Sequence, residues 1–403
     1  MTTKTKHDEN KVPKLRFPGF SGEWEEKRLG EVADVRDGTH DSPKYISEGY
    51  PLITSKNLCK DGTIDFNNVN LISQQDFDQV NKRSGVDTGD ILFGMIGTIG
   101  NPVIVKNEKF AIKNVALIKK GEFIQNIFCW QYLHSAKIAK QFHEKNAGGT
   151  QKFIALGVIR NLLFQLPTLP EQQKIADFLT TVDSWIQTLE SQKKNLEIYK
   201  KGMMQKLFSQ EIRFKDEDGS DFPNWEEKKL GEVTEINPKV AALPEKFIYI
   251  DLESVENGML KSENLIELED APSRAQRRLK RGDILFQTVR PYQKNNLFFD
   301  REGDYVASTG YAQIRTTICK GYIFQLIHTN SFVVKVMKLC TGTSYPAINS
   351  SDLKTIKVSL PSLSEQQKIA DFLTSIDELI QAKQTQIDKA KEWKKGLIQQ
   401  LFI

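Results

Sequence analysis

Cysteine is scarce and scattered in this 403-residue chain. Cys59, Cys129, Cys319 and Cys340 form no CxxC pair, which argues against a disulfide framework or a zinc ribbon and for thiols kept in a reducing cytoplasm. Five histidines, His7, His40, His134, His143 and His328, make no HExxH or HxH grouping. Long apolar runs are also missing: the segment 91–105 is interrupted by Gly94, Gly97, Gly100, Asn101 and Pro102, and the first residues contain no hydrophobic stretch. Neither a membrane span nor a signal peptide is expected, and a cytoplasmic location is. No charge sign dominates, since 56 basic against 52 acidic residues leave a net charge of +4. Any affinity for nucleic acid must come from local patches.

Catalytic signatures are absent as well. The chain has no GxSxG elbow, no GxGxxG or GxxxxGK[ST] loop, no paired metal ligands and no Asn-Pro-Pro-aromatic motif for base methylation. Asp221 followed by Glu226, Glu227 and Lys228 has the acidic part of a Mg²⁺ nuclease site, but Glu25, Glu26 and Lys27 recur at the matching place, as a structural turn would. A chain without catalysis, metal or cofactor of its own is expected.

What the chain does contain is itself, twice. The ten residues EQQKIADFLT at 171–180 return unchanged at 365–374, an offset of 194. Leu166-Pro167, Asp183, Lys200-Lys201-Gly202 and Leu207-Phe208 match Leu360-Pro361, Asp377, Lys394-Lys395-Gly396 and Leu401-Phe402. At the front, Trp24-Glu25-Glu26-Lys27 and Leu29-Gly30-Glu31-Val32 return as Trp225-Glu226-Glu227-Lys228 and Leu230-Gly231-Glu232-Val233. Between these borders only scattered marks agree: Gly89-Asp90-Ile91-Leu92-Phe93 with Gly282-Asp283-Ile284-Leu285-Phe286, Gln131 and His134 with Gln325 and His328, and Gly149-Thr150 with Gly342-Thr343. Constant borders around divergent contents suggest one scaffold presenting two different readers.

Each copy ends in a proline-free stretch of about forty residues with heptad spacing. Ile175, Val182, Leu189, Leu196 and Met203 fall seven apart, with Leu179, Ile186 and Leu207 on the interleaved step. In the second copy Ile369, Ile376 and Leu397 share one step and Leu373, Ile380, Ile387 and Leu401 the other. Two matching seams predict that the helices pair within the chain, the competing arrangement being two helices each lying on its own domain. Lys193, Lys200, Lys383 and Lys394 interrupt the seams, as register-setting polar positions do.

The globular halves read as mixed strands and helices, with strands at 51–54, 90–93, 103–105 and 116–118 and single helices at 124–142 and 323–339 holding His134 and His328 as structural hydrogen-bonders. Two polar, basic clusters suit nucleic acid. The first joins Thr39, His40, Lys44, Tyr45, Thr54, Ser55, Lys56 and Asn57 with Lys82 and Arg83; the second, denser one joins Arg274, Gln276, Arg277, Arg278, Lys280 and Arg281 with Arg290, Tyr292 and Lys294. Arginine pairs bidentately with guanine, and glutamine or asparagine with adenine, so these sets fit a base reader; a solvated basic loop is the competing reading.

With these residues in view, the chain resembles the specificity (S) subunit of type I restriction-modification systems, on 24–32, 39–45, 89–93, 166–208 and their second-copy matches. The resemblance implies an α+β fold: two tandem mixed α/β target recognition domains separated by two long helices that form an antiparallel coiled coil, with pseudo-twofold symmetry. Its segments would be a polar tail at 1–15, recognition domains at 16–169 and 210–361, and spacer helices at 170–209 and 362–403. It further implies sequence-specific binding of a bipartite site on double-stranded DNA, one half-site per domain, and two methyltransferase (M) subunits together with restriction (R) subunits as partners. S-adenosylmethionine, ATP and Mg²⁺ would then belong to those partners. The alternatives are a structural coiled-coil adaptor, a stand-alone DNA-binding protein without modification partners, and a self-sufficient nuclease or methyltransferase.

Overall fold

The computed structural model describes residues 11–107, 109–145, 153–239, 242–256 and 258–403. Gly149 and Thr150, one of the repeat marks, lie outside the described residues. Two compact units emerge: Met1–Leu189 with Gln386–Ile403, and Glu190–Thr385. The long helices Leu169–Phe208 and Leu363–Leu401 are therefore each divided between both units instead of standing apart from them.

In the first unit, described strands form a sheet in the order Val35–Asp37, Val115–Ile118, Ile91–Gly94, Gly100–Ile104, antiparallel throughout. A second sheet runs Asn70–Ile72, Tyr50–Ile53, Ala111–Ile112, its last pair parallel. Period-two alternation explains the layering, because successive side chains point to opposite faces. Ile91 and Phe93 join the core shared with the helices, whereas Leu92 between them joins Ile53, Val103 and Leu117 beneath the second sheet. Apolar residues in unbroken succession thus fill two cores with one strand.

The second unit repeats this plan. Thr234–Ile236, Tyr311–Thr316, Ile284–Gln287 and Leu297–Phe298 form the central sheet, and Asn264–Glu267, Lys246–Ile250, Tyr305–Ser308 and Ala275–Arg278 the other. Ile284 and Phe286 face the helical core and Leu285 the opposite one. The Gly-Asp mark before each central strand also has a cause. Gly89 and Gly282 turn the chain at φ 88° and 90°, and the aspartates that follow are buried acceptors, Asp90 for Lys119 at 2.6 Å and Asp283 for Arg315 at 2.7 Å.

The single helices expected at 124–142 and 323–339 are each two: Asn126–Leu133 with Ala136–Lys145, and Lys320–Ile327 with Asn330–Leu339. The apolar pattern runs on across the break, so periodicity alone cannot see it. Thr329 restarts the second helix as an N-cap, accepting from the Phe332 amide. His134 and His328 end the first helices, and each Nδ1 donates to the carbonyl four residues back, Trp130 at 2.8 Å and Phe324 at 2.7 Å.

The long helices pair and also pack on the domains, so both arrangements drawn from the heptads hold together. Ile175, Leu179, Val182, Ile186 and Leu189 share a core with Ile387, Leu397 and Leu401 in the first unit. Leu207 meets Ile369, Leu373 and Ile376 in the second, with Met203 and Ile380 half-buried beside them; Leu196 is half-buried. Lys394 binds Asp183 at 2.6 Å, and Lys200 binds Asp377 at 2.6 Å. Advancing along one helix from 183 to 200 means retreating along the other from 394 to 377, so the pairing is antiparallel. Gln131 and Gln325 complete each lock by donating to the same aspartates at 2.8 and 2.9 Å, tying domain to helix pair.

The unchanged EQQ at the head of each helix is equally well occupied. Glu171 takes a bidentate bond from Arg16, 2.8 Å to each oxygen, and Glu365 takes one from Arg213 at 3.0 and 2.7 Å. Gln172 and Gln366 fold back onto the carbonyls of Pro167 and Pro361, both at 2.9 Å. Arg16-Phe17 and Arg213-Phe214 are thus one more repeated element, with Phe17 against Phe178 and Phe214 against Phe372.

Candidate nucleic-acid interface

The first basic cluster sorts into interior and surface residues. Ser55 and Asn57 are buried, which corrects their reading as base contacts. Ser55 donates to the Asn114 carbonyl at 3.0 Å and accepts from the Met95 amide, and Asn57 caps its own turn while donating to the Asp65 and Asn68 carbonyls. The Thr54 hydroxyl is spent on Asn57. Lys44, Tyr45 and Lys56 remain exposed, as does Lys82, which reaches Gln79.

His40 and Arg83 converge on one buried carboxylate, Asp37, which no sequence pattern singles out. Asp37 takes His40 Nε2 at 2.8 Å on one oxygen and Arg83 on the other. The bond that His40 Nδ1 donates to the Asn114 side-chain oxygen, followed by the bond to Asp37, raises the His40 pKa above its ordinary value. Thr39 lies beside this group, bridged to Lys113.

In the second unit the dense run is a sheet-edge strand, Ala275–Arg278, rather than a loop. Arg278 meets Asp304 at 3.2 Å and Arg281 meets Glu302 at 3.3 Å, both exposed pairs worth little energy but drawing the cations toward carboxylates. Arg277 is half-buried, with its pKa lowered by burial. Gln276 bonds back to the Ser273 carbonyl, and Arg274 and Lys280 stay exposed.

Arg290, Tyr292 and Lys294 sit elsewhere, on the loop leaving the central strand Ile284–Gln287. This loop has a counterpart after Ile91–Gly94. Arg290 and Lys294 have φ of 53° and 56°, and the residues 193 earlier, Gly97 and Asn101, have 72° and 47°. Each loop is bridged to a second one, Val289 to Ala347 and Ile96 to Phe153. Tyr345 on that second loop lies under Arg290, its ring 4.2 Å from the guanidinium carbon. Lys294 is anchored instead, donating to the His328 carbonyl at 2.8 Å and to Asn330 at 2.7 Å. Left-handed backbone costs a residue with a Cβ roughly 1–2 kcal/mol, so a structure that holds Arg290 there constrains it firmly. Tyr345 and Asp37 were missed from sequence; the Gly342-Thr343 repeat mark was the available signal for the former.

The frame is thus present twice, with helix starts of identical residues and loops at 94–101 and 287–294 that differ. Residues 21–198 and 223–392 match the family described as the type I restriction modification DNA specificity domain. The chain belongs to this specificity family. Among its relatives, the type I restriction enzyme MjaVIII specificity subunit of Methanocaldococcus jannaschii is 28% identical over 94% of this chain and 92% of its own. The fold is shared with the S subunit of a type I restriction-modification system from M. genitalium, at a TM-score of 0.57 and 16% identity over 97% of this chain and 99% of that one. It is shared too with a chain from a study of complex assembly and conformational transition in a type I system, at 0.56 and 18% over 94% and 97%. The chain carries two specificity domains in tandem. Among the described residues no helix is long and apolar enough to cross a membrane, and no three histidine, cysteine or acidic side chains gather as metal ligands.

Proposed function

We propose that this specificity subunit reads a bipartite site on double-stranded DNA, one half-site per recognition domain, and takes no catalytic part itself. The observation that carries the reading is the contrast within the repeat: EQQKIADFLT and its anchoring arginines are duplicated in structure, while the loops at 94–101 and 287–294 share a backbone path and almost no side chains. Identical frames with unlike reading surfaces suit two different base sequences. Lys44, Tyr45, Lys56, His40 and Arg83 form the candidate surface of the first domain; Arg274, Lys280, Arg290 and Tyr292 form that of the second.

The partners fit the same duplication. Trp185 and Trp393 are about half exposed and touch edge to face in the first unit, and the residues 194 away, Leu379 and Tyr199, are as exposed in the second. Exposed apolar residues at matching places in each unit, one from each long helix, suit two copies of one protein. We assign that role to two methyltransferase subunits, which would supply S-adenosylmethionine chemistry; restriction subunits joining them would supply ATP- and Mg²⁺-dependent steps, and the whole would work in the cytoplasm.

Exchanging residues 215–360 for those of a related subunit tests independent reading. Mapping of methylated bases is expected to show one altered half-site and one unaltered. Alteration of both, or of neither, overturns the proposal.

A further inference from the structure

We infer that Arg290 reads a guanine in the half-site of the second domain, with Tyr345 as its positioning residue. The inference rests on the DNA-reading function proposed above and assigns it to a single contact. The dense run at 274–281 holds more charge, yet Arg278 and Arg281 face carboxylates, and Arg277, half-buried as Arg290 is, has no aromatic ring against its guanidinium among the described residues. Arg290 is held differently. Among the described residues its guanidinium has no hydrogen-bond or ion-pair partner, its Nε is enclosed, and its two Nη groups are not.

What remains outward is the end-on fork of the guanidinium, the edge that pairs with O6 and N7 of guanine. Stacking on Tyr345 fixes the plane of that fork without using its donors, because a ring face offers charge attraction and no competing acceptor. The backbone is fixed as well. Arg290 donates its amide to the Pro346 carbonyl at 2.7 Å, Pro291 follows it, and Val289 bridges to Ala347. Its φ of 53° belongs to glycine by preference, and the sister loop does place Gly97 there. An arginine kept at a glycine position, unpaired and braced by an aromatic ring from a second loop, is a preorganised reader. Tyr345, 65% exposed, and Tyr292, 50% exposed, flank it on the same surface loops.

The test uses the full chain and duplex DNA randomised through both half-sites, at low and moderate salt. Arg290→Gly suits the local backbone, so its thermal midpoint is expected to stay near wild type. It should lose preference for guanine at one position of one half-site by about 5- to 150-fold, leaving the other half-site unchanged. Arg290→Lys should lose most of the same preference, since an ammonium lacks the fork. Tyr345→Ala should weaken it by about 2- to 5-fold, and Tyr345→Phe, which keeps the ring face, should restore it. Full discrimination in Arg290→Gly overturns the inference, as does a uniform loss across all sequences with a flatter salt slope, the mark of a phosphate contact. A wild-type chain with no sequence preference at all overturns the DNA-reading function and this contact with it.

Discussion

His328 shows how one side chain can couple stability to pH without any catalytic duty. Burial, chiefly, pushes its pKa down to about 4; the bond to the Phe324 carbonyl opposes it, Lys200 and Lys294 add to it, and Asp377 also opposes. Its Nδ1 donates to the Phe324 carbonyl, and Nε2 faces the Asn296 amide at 3.3 Å, so the neutral ring satisfies both neighbours. The folded pKa lies below the ordinary histidine value of ~6.5. The stability this brings is complete above pH ~6.5 and is lost as pH falls toward 4, on the order of 3 kcal/mol in all. Urea midpoints between pH 7 and 4.5 should therefore fall more steeply for wild type than for His328→Asn; parallel curves would show that the ring is not the coupled group.

At the scale of an element, the start of each long helix is anchored by a carboxylate that has left water. Glu365 is fully enclosed and binds both Arg213 and the Trp225 indole, the latter at 3.1 Å. Removing one partner of a buried pair strands the other, which typically costs about 3–5 kcal/mol. Arg213→Ala, which strands the fully enclosed Glu365, should thus lower the unfolding free energy by about that amount, and Glu365→Ala by somewhat less because the Arg213 it leaves behind retains some solvent. The double variant should cost less than the sum of the two. Strict additivity in denaturant titrations would mean that the helix start is held by its apolar contacts alone.

At the scale of the whole molecule, the proposed reading predicts that helix length is written into the gap between half-sites. Asp183–Lys394 and Lys200–Asp377 set their register, the locks lying seventeen positions apart on either helix. Four residues inserted near Ser191 and Gln192 would displace only one helix and break a lock. A heptad inserted into both helices between the locks preserves seam and pairs, lengthening each by ~10.5 Å. At ~3.4 Å per base pair, the gap between half-sites should widen by about three base pairs, with the half-site sequences unchanged. Methylation mapping decides it, and an unchanged gap with full activity would mean that partner subunits hold the spacing.

Much of this was legible in the residues alone. Duplication, heptads and the strands around Ile91 and Ala116 follow from periodicity and self-similarity, which are properties of the chain's order. The antiparallel direction came only through family resemblance, because heptads name a seam and not its partner's sense; the cross-pairing of Asp183 with Lys394 decides it. Clusters of basic residues were visible too, but their standing was not. Ser55 and Asn57 turned inward, Arg278 and Arg281 found carboxylates on the loop before Tyr305–Ser308, and Arg290 met Tyr345 across fifty-five residues of chain. Local order determines which segments repeat and which faces are apolar, since those depend on neighbours in sequence. Whether a polar side chain is spent inside or left free to read depends on groups that only folding brings within reach.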